Sequence, residues 1–224
     1  MNYKSFFDKV RTKFGPLNQG QVDGFENIIE EAIRRGCENN DLAYILATVW
    51  HETAFTMQPI KEYGGEKYLK SKKYYPHYGR GLVQLTWLYN YEKASKKLGI
   101  DFVKHPDKLL DWEYALPILF VGMEEGWFTG KSLSDYIDDV DEDNKEDLRE
   151  FANARRIING TDKQVEIGQI ALFFELALKE SQYGVEPAAE PVEAIEEDTE
   201  YPVTKQSVFK LLTILISILK KLLK

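Results

Sequence analysis

Apolar and polar positions alternate at a helical period through nearly all of residues 1–183. After Asn18, a helix-starting residue type, "QVDGFENIIEEAIRRG" repeats Phe25, Ile28, Ile29 and Ile33 on one face, and Gly36 supplies the stop. The next helix is predicted from Asp41. Its "DLAYILATVW" is apolar at nearly every position, the pattern of a central, buried segment. The same reading predicts helices over 86–98, over 111–125 with a kink at Pro117, over 146–158 and over 162–181. Between residues 58 and 85 the period is lost. There "EYGGEKYLKSKKYYPHYGRG" is rich in glycine and tyrosine, which predicts loops or a short antiparallel sheet, the irregular surface on which active sites are built.

Past residue 183 the pattern changes twice. Residues 184–202 hold seven acids, three prolines and no base, which predicts a self-repelling, extended linker. Residues 203–224 hold five lysines and no acid. Wound as a helix they place Lys210, Lys220 and Lys221 on one side and Phe209, Leu212 and Ile216 on the other. A helix over 208–224 would be about 25 Å long, short of the roughly 30 Å hydrocarbon core. It is therefore expected to lie in the membrane interface, drawn there by apolar insertion and anionic headgroups. The alternative is packing on the main domain or a helical oligomer. The expected organisation is a domain over 1–183, an acidic linker over 184–204 and a cationic amphipathic helix over 205–224.

Length and charge narrow the function. A chain of 224 residues has room for one sizeable core and an appendage. The net charge of -8 argues against a general nucleic-acid binder. Removing five of the 29 basic and seven of the 37 acidic residues leaves the main zone with 24 and 30, still acidic. The single cysteine, Cys37, rules out an internal disulfide and fits synthesis in a reducing compartment. The first twenty residues interleave charges with aromatics and contain no apolar stretch of signal-peptide length.

The candidate chemistry sits in "LATVWHETAFTMQPIKEYGG". Glu52 falls at the end of the buried helix, where carbonyl dipoles and apolar neighbours favour a protonated carboxyl, a general acid. Glu62 follows in a polar loop, where ionisation is favoured. Two carboxyls separated in this way suit hydrolysis of a glycosidic bond, one protonating the leaving oxygen and the other activating water. A zincin site is excluded because Phe55 stands where the second histidine is required. Asp139, Asp141, Asp143 and Glu150 have calcium-loop spacing, but Asn144 and Glu146 occupy positions that such a loop gives to glycine and an apolar residue. An acidic loop leading into the following helix is the better account. No metal and no cofactor is expected.

"HETAFTMQPIKEYGG" followed by "YGRGLVQLTWLYNY" resembles glycoside hydrolase family 19, in its phage-endolysin and bacterial chitinase-like branch of the lysozyme superfamily, and "GWFTGKSLSDYI" and "ARRIINGTDKQ" agree. The resemblance spans roughly residues 18–180. It implies an all-α, lysozyme-like fold with a small irregular or β-hairpin region near the active site. It also implies Glu52 as general acid and Glu62 as the base in an inverting mechanism, the carboxyls roughly 6.5–9.5 Å apart, with Glu66 as the rival base. Thr86 is implied to hold the water, with Gln84, Tyr63, Asn90, Tyr91 and Asn159 as substrate contacts. Arg80 is expected to buttress the loop through a carboxylate, and Arg155 and Arg156 to serve packing. Where the plant enzymes read "HETTGG" with paired cysteines, this chain reads "HETAFT" with one. That departure moves the expected substrate from crystalline chitin toward bacterial peptidoglycan. The implied protein is a monomeric endolysin, held in the host cytoplasm until a holin-type route releases it to the periplasm or wall. Its rivals are a chitinase and a non-catalytic wall-binding domain carrying a membrane-active peptide.

Overall fold

The computed structural model describes residues 1–138, 140 and 143–185. The linker beyond residue 185, the cationic tail with Phe209, Lys210, Leu212, Ile216, Lys220 and Lys221, and the acids Asp139 and Asp141 lie outside the described residues. The described chain is mainly helical, with one two-stranded antiparallel sheet. No described helix is long and apolar enough to cross a membrane.

Helix α1 (Tyr3–Phe14) is one that the sequence pattern did not predict. It buries Phe6, Phe7 and Val10 and packs on the last helix, with Asn2 capping its start. Helix α2 (Gln19–Arg35) begins at a capping box in which the Asn18 and Gln21 side chains each accept from the other's backbone, and it ends on left-handed Gly36. Its buried face is Phe25, Ile28, Ile29 and Ala32. Ile33 is turned outward, 51% exposed, because Ala32 takes the position against the core.

Helix α3 (Asn39–Glu52) is the buried centre that its composition predicts: every residue from Leu42 to Trp50 is buried. It packs against α8 (Gln164–Glu180), which in turn packs against α7 (Asn144–Ala154). Asp143 accepts from the first amides of α7, consistent with an acidic loop serving a helix start. A 3-10 turn, Arg155–Ile157, continues α7 and delivers Arg155 inward. Helix α6 (Trp112–Glu124) carries Pro117 inside it.

Residues 58–85 form the predicted short antiparallel sheet. Strand β1 (Ile60–Lys61) pairs with β2 (Arg80–Gly81), with Ile60 opposite Gly81 and Lys61 opposite Arg80. Between them lies one short helix, α4 (Glu66–Lys70). After β2 the chain makes a tight turn and enters α5 (Leu88–Leu98), two residues later than the periodicity predicts, because Trp87 takes φ of +77° and cannot be helical.

Candidate active site

Glu52 is the last residue of α3 and projects from the buried helix into a cleft of about 550 Å³. The opposite wall comes from the hairpin region and the start of α5: Glu62, Gly79, Gln84, Thr86, Trp87 and Asn90. Phe128, Ile158 and Asn159 complete the lining. Two glutamates from separate elements thus share one concave surface.

Their environments differ in kind. Glu52 Oε1 accepts from Arg155 Nη1 at 2.6 Å, and Arg155, only 1% exposed, also donates through Nε to the carbonyl of Asp162 at 3.0 Å. Glu62 meets neutral donors instead. Its Oε1 accepts from the Tyr74 hydroxyl at 2.7 Å and its Oε2 from the Gly79 amide at 3.0 Å. Loss of hydration first, and then the Glu62 carboxylate, raise Tyr74 above the ordinary phenol range, so it remains a neutral donor at physiological pH.

The hairpin is held by side chains that reach back to the backbone. Gln84 Nε2 donates to the carbonyls of Ile60 (3.0 Å) and Gly81 (3.2 Å). A Cβ on Gly79 would lie 2.7 Å from Gln84 Oε1, so a side chain there would displace the Gln84 amide from its present position. Thr86 Oγ1 donates to the carbonyl of Gln84 at 2.8 Å, which leaves its lone pairs available to accept from a water. Asn90 Nδ2 donates to the carbonyl of Thr86, and its buried Oδ1 has no protein partner. Trp87, 40% exposed, meets Tyr74 edge-on with centroids 5.3 Å apart and stacks beside Tyr89 at 6.4 Å, forming an aromatic rim suited to sugar faces. Beneath this wall Arg80 pairs with Asp107 at 3.1 Å and donates to the Tyr91 hydroxyl at 2.8 Å.

Of the sequence-predicted residues, Glu52, Glu62, Gln84, Thr86, Asn90 and Asn159 line this one cleft. Three others do not. Tyr91 is fully buried, its hydroxyl donating to the Tyr78 carbonyl and accepting from Arg80; burial pushes its phenol up to about 12. It supports the wall rather than meeting a ligand. Tyr63, 63% exposed, stands on the outer surface and is absent from the cleft lining. Glu66 sits on α4 and is paired with Lys70 at 2.6 Å, outside the cleft. Arg155, assigned by the sequence to packing, contacts the candidate acid directly. No sequence signal separated it from Arg156, because the burial that obliges a guanidinium to find a carboxylate is set by the fold. Tyr74 and Trp87 likewise carried no signal among thirteen tyrosines and four tryptophans. Among the described residues no cluster of three or more metal-ligating side chains occurs.

No family model matches the chain. Over 117 residues it is 36% identical to an endochitinase of Arabidopsis thaliana, covering 46% of this chain and 41% of that protein. Over 78 residues it is 38% identical to chitinase 4 of rice, Oryza sativa, covering 31% and 27%. The chain thus spans less than half the length of these curated relatives. Among solved structures it resembles chitinase C from Streptomyces griseus, with a TM-score of 0.53 and 20% identity over 81% of this chain and 78% of that one. The two share a mainly helical fold.

Proposed function

We propose that this chain is an inverting glycoside hydrolase acting on β-1,4-linked amino-sugar polymers, with Glu52 as acid and Glu62 as base. The observation that carries this reading is that two glutamates from separate elements, each oriented by its own hydrogen-bond partners, line one cleft. In the proposed step Glu52 delivers its proton from Oε2, because Arg155 engages Oε1. That proton passes to the glycosidic oxygen as the bond from this oxygen to the anomeric carbon breaks. A water accepted by Thr86 and Glu62 attacks the opposite face, forming the new carbon–oxygen bond and leaving its proton on Glu62. Exchange with solvent restores both carboxyls.

The test is Glu52→Gln and Glu62→Gln in the full chain. Each is expected to lose about 10²–10⁴ in kcat on isolated cell walls and on chito-oligosaccharides. Retained hydrolysis by Glu52→Gln would remove the assignment of the acid and favour a non-catalytic wall-binding domain.

For the polymer we favour peptidoglycan and an endolysin role, supported by the departures from the plant motif in "HETAFT" and by the basic, apolar segment 203–224. On this reading the enzyme is made in a host cytoplasm and reaches the wall on release, the tail engaging anionic membrane. A chitinase is the second reading, favoured by the relatives, which are named as chitinases. Mass spectrometry of released products separates the two: muropeptides with new reducing ends from walls, against chito-oligosaccharides from chitin.

A further inference from the structure

Residues 63–78 leave the sheet at Glu62 and return to it. The Glu62 amide donates to the Gly79 carbonyl at 2.7 Å, and the Gly79 amide and Tyr74 hydroxyl both reach the Glu62 carboxylate. Whatever this lobe binds is therefore presented on the Glu62 side of the cleft. Its composition is unlike that of the rest of an acidic chain. It carries Lys67, Lys70, Lys72 and Lys73 against a single acid, Glu66, and five tyrosines. Glu66 offsets Lys70 at 2.6 Å. Lys72 Nζ lies 4.0 Å over the ring of Tyr68. Lys67 and Lys73 are exposed and, among the described residues, have no carboxylate within ion-pair distance. Lys67 and Lys70 also border a shallow hollow of about 470 Å³.

We propose that this lysine and tyrosine lobe docks the carboxylates of peptidoglycan stem peptides, so that the cleft is matched to an anionic, peptide-bearing glycan. The inference rests on the peptidoglycan reading above and deepens it. Chitin offers only hydroxyls and acetamides, which give ammonium groups no charge to seek. Peptide-bearing strands present carboxylates repeatedly along their length. A single exposed ion pair is weak and screened by salt, but several acting on one polymer reinforce each other through proximity. The exposed tyrosines Tyr63, Tyr68 and Tyr75 add flat faces beside the charges.

The experiment uses the full chain carrying Glu52→Gln and measures co-sedimentation, within the first minute, with purified sacculi freed of secondary phosphate polymers. The comparison is the same sacculi after enzymatic removal of their peptides. Binding to intact sacculi is expected to be about three- to tenfold tighter than to stripped ones. That preference should collapse toward one at about 0.5 M salt, and in a variant that also carries Lys67→Gln, Lys70→Gln and Lys73→Gln. Equal binding to intact and stripped sacculi, a preference that survives the triple substitution, or binding that needs the phosphate polymers would each overturn the proposal. Fragments released into the supernatant report separately on Glu52, so failure of the acid assignment is distinguishable from failure of the lobe.

Discussion

Arg155 and Tyr74 divide the work of holding the two carboxyls, and they do so by different physics. A buried guanidinium is tolerated only with its charge matched and its donors met: the Glu52 carboxylate supplies the charge and the Asp162 backbone carbonyl accepts from Nε. Tyr74 brings no charge. It fixes the orientation of Glu62 through one hydroxyl, and its ring is itself steadied by the edge of Trp87. Tyr74→Phe keeps the ring and removes only that hydrogen bond to a carboxylate, an interaction of about 1.5–3 kcal/mol. The expected result is a fall in kcat of about tenfold or more with KM little changed, measured on a soluble oligosaccharide. A matching rise in KM would mean that Tyr74 contacts substrate instead of positioning the base. Neither residue was legible as functional in the sequence, because both act through partners brought near only by folding: Glu52 and Arg155 are 103 residues apart.

At the scale of elements, α2 and α3 were legible from their apolar residues, α1 with its buried Phe6, Phe7 and Val10 was not predicted, and the loss of helical period between residues 58 and 85 correctly marked the sheet. What periodicity misses is close approach. Gly24 interrupts α2 on paper, yet a Cβ there would lie 2.1 Å from the Met57 carbonyl, so the glycine is where the chain after α3 crosses the helix. The sheet is tied down by a comparable long-range contact. Asp107, in the 3-10 turn Pro106–Leu110, pairs with Lys61 of β1 at 2.7 Å and Arg80 of β2 at 3.1 Å. Lys61 first, and then Arg80, hold its carboxyl below the usual carboxylate range. A depressed folded-state value means that this latch contributes stability above the unfolded value of about 3.9 and loses it as pH falls through the folded one. Asp107→Asn should therefore lower Tm at about pH 6. The gap from the parent should close as pH is taken below about 3. A gap that stays constant across that range would show that the latch is not electrostatic.

Across the whole molecule, charge is sorted along the chain rather than spread evenly: an acidic main domain with a basic lobe, seven acids over 184–202, then five lysines with no acid over 203–224. If the last segment engages membrane, as proposed, its contribution should appear only where a membrane bounds the substrate. Isolated peptidoglycan lacks one, and the cleft residues all lie within the first 185 positions. Deleting residues 205–224 is accordingly expected to leave the initial rate on purified sacculi unchanged while weakening killing of intact Gram-negative cells. High salt should narrow the difference between the two forms, because attraction to anionic headgroups is screened beyond about 10 Å at 0.1 M. Equal killing by both forms at low salt would remove the membrane from the account. A loss on purified sacculi would instead assign the tail to the wall or to the stability of the catalytic domain, an outcome that the change in Tm on deletion resolves.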